Sequence, residues 1–337
     1  MKMQKRYALS FLLAIAGIAT GALQAQNQKT ASYRVHQVSM VQWNTADGLP
    51  YKEVPGVNLG STSFERMDRE QIAFLSNASD ELIITDKTTG KVTRKFPVTY
   101  APQDFVYDKG LFYVLSEKQV SVYDEQGAFL NKYILPASAL GVERITRFRN
   151  ETWLLLPSGN SLKIESAGQA MTAAENEGWI TQAGHFVSAK IGKDNSYSVH
   201  VTTNAGKSFD KTFPCDKPVA GVYVVGATEG RIVLDVQTFV SESPIKVERT
   251  IVSIELNANG LEHYVTSIQV PDCYYVLSNT DLRLSAKGSV QQMVTTPKGA
   301  YIFSLSEVRW ENDSKYPEAV SGIKYHFNDH LKSVEEK

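Results

Sequence analysis

One local phrase recurs along this chain: an alternating apolar strand, an Asp or Asn, a Gly a few residues later, a second strand, then a Pro. It runs as ELIITD to Asp86, Gly90, KVTRKF and Pro97, and again as VSVYD to Asp124, Gly127, FLNKYIL and Pro136. It returns as YSVHVTT with Asn204, Gly206, FDKTF and Pro214, and more loosely as TIVSIEL with Asn257, Gly260, YVTSIQV and Pro271. A two-strand hairpin explains each copy, because Gly takes the positive φ of a tight turn and Pro ends the strand where the chain crosses to the next unit. Hairpins repeated at this spacing, with almost no helical pattern between them, predict an all-β repeat of the β-propeller type.

From residue 60 onward the strands group in fours. Residues 63–67, 71–76, 81–86 and 91–96 make one unit, and 104–108, 111–116, 119–124 and 128–134 the next. A third runs from about Glu143 to Gly168, with 166–178 read as loop, and a fourth from Trp179 to Pro214. The fifth spans Gly221 to Pro271, its SESPIK segment read as a longer loop between the second and third strands. Residues 272–288 read as an irregular connector, and the last unit has only three strands: SVQQMVTT, AYIFSLSEV and SGIKYHF. The strand YRVHQVSMVQW, residues 33–43, lacks a partner of its own. Pairing it beside the C-terminal strand would close the ring and remove two exposed edges. The expectation is six four-stranded blades, with five to seven open, since 33–55 read as a separate hairpin adds a unit.

Residues 1–25 are expected to be a signal peptide: Lys2, Lys5 and Arg6 precede an apolar run that ends in small residues, with cleavage after Ala25. Gly17 and Gly21 interrupt that run, which is short for a bilayer span of ~20 residues, so no transmembrane segment is expected after cleavage. Residues 26–337 then form a single periplasmic or secreted domain, monomeric by itself. With 35 Lys plus Arg against 36 Asp plus Glu, the surface as a whole steers neither nucleic acid nor anionic membrane. Shape or local chemistry must select the partner.

Three stretches carry resemblances. TTNAGKSF, with Thr202, Asn204, Gly206, Ser208 and Phe209, resembles the Asp-box of sialidase-type propellers. That resemblance implies a folding device in which the Asn oxygen bonds turn amides and the aromatic packs between sheets. NTADGLPYKEV, through Asp47, Gly48, Leu49 and Pro50, resembles the phrase that opens the periplasmic sensor propellers of two-component regulators, where the closing strand passes to the first blade. Residues 101–130 look like NHL-type six-bladed units. None of the three implies a catalytic residue here.

The chemistry-bearing residues are scattered. Six-bladed lactonase-like enzymes hold calcium on the axis with acidic and amide side chains, and Glu65, Asp104 and Glu143 stand near the starts of first strands, where they are candidate ligands. Arg144, Arg147 and Arg149 alternate along ERITRFR and read as a solvated rim patch. His326, Asp329 and His330 have no second cluster to complete a metal site. Cys215 and Cys273 each sit beside the Pro that follows a hairpin, as a disulfide between adjacent units or as two separate thiols. Exposed loop aromatics, Tyr100, Tyr274, Tyr275 and Trp310, are the candidate contacts for a partner. The sequence thus points to a non-catalytic, cofactor-free module that binds another protein of the cell envelope, such as an outer-membrane or secretion complex. The alternative is a metal-dependent lactonase-like or sugar-binding propeller that uses the axial pocket.

Overall fold

A computed structural model describes residues 30–55, 57–139, 141–142, 144–164, 175–270, 280–285 and 287–310. The expected signal peptide, Glu143, Cys273, Tyr274, Tyr275 and the His326 to His330 cluster lie outside the described residues. The chain folds as a six-bladed β-propeller of four-stranded antiparallel blades. From the axis outward, blade 1 consists of Ser61–Arg66, Gln71–Ser76, Glu81–Asp86 and Val92–Pro97, and blade 2 of Pro102–Asp108, Leu111–Ser116, Gln119–Asp124 and Phe129–Ile134. Blade 3 uses Arg144–Phe148, Glu151–Leu155, Ser161–Ile164 and the short Glu175–Asn176, and blade 4 uses Trp179–Ile180, Phe186–Ile191, Ser196–Thr202 and Ser208–Pro214. Blade 5 is the longest: Val219–Thr228, Arg231–Glu242, Ile245–Asn257 and Gly260–Val270.

Burial explains the sequence patterns. Middle strands such as QIAFLS and LFYVLS are buried almost throughout because both faces meet neighbouring blades, whereas the outer strand VTRKFP alternates. Each seam between blades has its own apolar cluster. Leu75, Phe96, Phe105 and Phe112 fill the seam between blades 1 and 2, and Val199, Phe213, Ile232 and Leu234 that between blades 4 and 5. The recurring Asp/Asn closes the outer turn of its blade. Asp86 Oδ1 accepts from the Thr89 amide at 2.7 Å, Asp124 Oδ1 from Gln126 and Ala128, and Asn257 Oδ1 from Asn259 and Gly260. The Asp-box turn differs: Thr203 Oγ1 accepts from the Lys207 amide at 3.1 Å, while Asn204 Nδ2 donates to the Ala183 carbonyl. Phe209 does pack against the seam of blades 4 and 5.

Ring closure comes from the N-terminal strand, with one correction. Thr30–Gln42 lies antiparallel to Gly299–Trp310, with Val35 opposite Leu305 and Gln42 opposite Gly299. It is the outermost strand of blade 6, whose order is Leu282–Leu284, Val290–Thr295, Gly299–Trp310 and Thr30–Gln42. The innermost strand therefore comes from the stretch read as a connector, and SGIKYHF lies outside the described residues. Behind the closing strand, the loop of Asp47 to Pro50 wedges into the seam between blades 6 and 1. Leu49 is fully buried there beside Trp43, Phe64 and Met293, and the Val92 amide of blade 1 donates to the Asp47 carbonyl at 2.9 Å. Gly48 and Gly90 permit this approach: a β-carbon on Gly48 would meet the Gln42 carbonyl at 2.3 Å, and one on Gly90 the Met40 carbonyl at 1.9 Å.

Candidate functional site

The inner strands surround an axial channel of 790 Å³. In an antiparallel meander the turns alternate between the two ends of the blade, and the channel opens where first strands turn into second strands, past Arg66, Asp68, Arg69 and Lys287. Its wall mixes apolar side chains, among them Phe105, Ile180 and Leu284, with charged ones contributed by different blades.

Asp104, fully buried on the inner strand of blade 2, lies behind this wall and is bonded to the lining residue Arg283. Its carboxylate accepts from Ser63 Oγ of blade 1 at 2.6 Å, from the Ile145 amide of blade 3 at 3.1 Å, and from the Arg283 guanidinium of blade 6. Arg283 also donates to Ser63 Oγ at 2.6 Å and to the Phe64 carbonyl at 3.2 Å. One carboxylate thus ties four blades together. A second lock joins blades 5 and 6, where Arg249 bridges Asp235 at 2.8 Å and Asp281 at 2.7 Å. Burial opposes the charge on Arg249, but Asp281 and Asp235 more than offset it and hold its pKa above the usual range. Burial still leaves Asp235 raised despite Arg249.

Glu65, expected as a calcium ligand together with Asp104 and Glu143, lines the channel. Enclosure of its carboxyl group raises its pKa from the ordinary 4.5 to about 7, against the pull of Arg283 and a hydrogen bond from the Tyr107 amide at 2.8 Å. Among the described residues no three acidic, His or Cys side chains converge in a way that could hold a metal ion, and the Asp104 oxygens are already committed to Arg283, Ser63 and Ile145. Glu143, the third expected ligand, lies outside the described residues.

The titration of Glu65 has a measurable consequence. Unfolded, the group ionises near 4.5; folded, it must give up its proton inside the channel near 7. Its raised pKa therefore costs the fold nothing below 4.5, and stability falls as pH rises through 7. Relative to the wild type, E65Q is expected to gain up to about 3 kcal/mol at pH 8, at ~1.4 kcal/mol per pKa unit, and almost nothing at pH 4. Urea unfolding at the two pH values measures this. An equal difference at both would mean that Glu65 is not titrating between them.

ERITRFR is only in part the solvated rim patch expected: Arg149 is exposed, but the other two arginines turn inward. Arg144 and Arg147 both face the channel, and Arg144 is buried. Arg147 pairs with Asp108 at 3.1 Å and lies over the Tyr113 ring. Arg144 donates through Nη1 to the Val224 carbonyl at 3.1 Å and sits 5.6 Å from the centre of the Trp179 ring. Burial, with repulsion from Arg283, lowers its pKa to about 10, so it stays charged at neutral pH. Glu65, Asp104, Arg144 and Arg283 stand on the first strands STSFER, PQDFVYD, RITRF and LRL, of which only the last is otherwise apolar, so no local signal marked the set.

Of the candidate contact residues, only Tyr100 has a described side chain. Tyr100 is 84% exposed on the crossover from blade 1 to blade 2. Trp310 ends its strand opposite Thr30, and Tyr274 and Tyr275 fall outside the described residues. Cys215 is half-buried and free among the described residues, with burial raising its thiol pKa.

Sequence reasoning also missed the shape of blade 5. SESPIK is not a long loop but the tip of a ribbon, with pairing that continues to Glu242 opposite Ile245. The inner strand stops at Val219 opposite Thr238, and the outer strand at Val270 opposite Arg249. Residues 239–248 therefore stand beyond the blade as two strands, braced at the base by the Phe239 amide on the Pro218 carbonyl and by Lys217 on Glu248 at 2.6 Å. At the tip Val240 is 49% and Ile245 74% exposed.

No family model and no curated protein matches this sequence. Among solved structures, the WD40 domain of Neurospora crassa Pan2 is similar at 8% identity and a TM-score of 0.48, over 80% of this chain and 95% of that one. The β-propeller domain of Myceliophteria thermophila Cps50 is similar at 11% identity and 0.44, over 84% and 99%. Hydrazine synthase of Kuenenia stuttgartiensis is similar at 15% identity and 0.45, over 74% and 75%. Likeness at these levels carries nothing about function.

Proposed function

We propose that this protein is an exported, non-catalytic propeller that binds another protein of the cell envelope. The observation that carries this reading is the blade 5 ribbon. A two-stranded hairpin is marginal alone in water, and this one presents large apolar side chains to solvent at its tip. It projects from the end where blades are joined to one another, the end that also carries Tyr100. Loops and arms on a rigid ring suit recognition. Export is inferred from the basic and apolar segment of residues 1–25, and no helix among the described residues is long and apolar enough to cross a membrane.

The test has two arms. The mature protein recovered from the periplasmic fraction or the medium is expected to begin at Gln26, by N-terminal mass spectrometry; an intact N-terminus in the cytoplasm overturns export. A cross-linker placed at the ribbon tip is expected to capture one stoichiometric envelope protein, and V240D/I245D to abolish capture with the melting temperature unchanged. Equal capture by that variant overturns the ribbon as the contact. The axial channel favours a second activity on the same ring, the binding of a small molecule, since its 790 Å³ is the size of a ligand site.

A further inference from the structure

The charges along the axial channel are not evenly matched. Arg283 is neutralised by Asp104, and Arg147 by Asp108. Arg144 has no such partner: among the described residues no carboxylate forms an ion pair with it, and its Nε is buried without a hydrogen bond. It is 7% exposed, yet it forms part of the channel wall. Asp104 and Asp281 favour its charge only from a distance and do not offset burial, so a guanidinium held out of water without a directly bonded counter-ion is costly, and a fold keeps one where something else supplies the contact. At the mouth Arg66, Arg69 and Lys287 outnumber Asp68, which draws anions inward.

We propose that the axial channel binds a small organic acid, with the carboxylate on Arg144 and the apolar body of the ligand against Trp179, Ile180 and Leu284. The guanidinium fork matches a planar carboxylate, and the unpaired Nε is a donor free to accept one. Trp179 lines the channel beside Arg144 and supplies a flat wall for an aromatic or aliphatic body. Apolar neighbours favour an organic acid over inorganic phosphate, which would leave that wall bare. The inference is independent of the protein partner proposed for the other end of the ring.

Titration of the full chain with phenylacetate, followed by tryptophan fluorescence and calorimetry, tests it, with inorganic phosphate and chloride as comparators. Saturable phenylacetate binding is expected, weakened about 10-fold or more in R144M, which removes charge-assisted bonds. Because R144M also removes a buried unpaired cation, it is expected to unfold no more easily than the wild type in the absence of ligand. If R144M does not fold, R144K, which keeps the charge but not the fork, is expected to show the same weakening. In W179F the fluorescence response should vanish while calorimetry still detects binding. No saturable phenylacetate binding, or equal affinity in R144M or R144K, overturns the site. Phosphate binding more tightly than phenylacetate overturns the organic-acid assignment.

Discussion

Replacing Trp43 with Ala is expected to cost about 3–5 kcal/mol of unfolding free energy, because the side chain lies in the one seam that the chain must close with its two ends. Trp43 follows directly on the closing strand and packs in the cluster with Leu49, Phe64, Ile72 and Met293. Its Nε1 donates to the Thr296 carbonyl at 2.7 Å, across 253 residues of sequence, and its ring stacks on Tyr51 at 5.4 Å. Ala would lose the buried ring area, leave a cavity between blades 6 and 1, and remove the shorter of the two hydrogen bonds to the Thr296 carbonyl, which the Gly299 amide also reaches at 3.3 Å. W43F keeps most of the ring area and loses the hydrogen bond, so it should cost about 1–2 kcal/mol. Urea midpoints at constant slope measure both. A loss below about 1 kcal/mol for W43A would show that the seam holds without its latch. Removing residues 30–42 as well takes away the whole outer strand of blade 6 and exposes the edge of Gly299–Trp310. That truncation is expected to abolish cooperative unfolding.

The difference between what was legible and what was not follows sequence distance. The outer hairpins could be read because their turn chemistry is local: Asp86 bonds a residue three positions on, and Gly90 and Gly127 adopt positive φ where the phrase requires it. The closing strand was legible as an unpaired strand, but its neighbours were misplaced. The inner strand of blade 6, LRL at 282–284, is too short to show alternation. The ribbon of blade 5 was misread as a loop because Ser and Pro are turn residues, and here they form a tight turn at the end of two long strands. The channel was the hardest part to read. Asp104 and Arg283 lie 179 residues apart, and nothing local to either says that they meet. Arg144 followed the alternation of a solvated patch, but the strand that carries it is the innermost of its blade, where both faces are enclosed.

The same long-range contact sets the second large effect. D104A is expected to destabilise the protein by about 3–5 kcal/mol, the cost of stranding a buried charge. Arg283, with its side chain 13% exposed, would lose its carboxylate partner, and Ser63 Oγ and the Ile145 amide would lose their acceptor. R283M leaves Asp104 buried with only neutral donors and should cost a similar amount. The double variant D104L/R283M removes both charges and fills part of their volume, so its loss should fall short of the sum of D104L and R283M by about 2–3 kcal/mol. Additive losses would mean that the two side chains do not interact across the axis. The cycle also separates this lock from the proposed ligand site: D104A weakens the fold by loosening blades 1, 2, 3 and 6 together, whereas R144M removes a buried cation that has no ion-pair partner among the described residues. Two arginines of one channel therefore have opposite expected signs in the unliganded protein, because one is paired by the chain itself and the other is not.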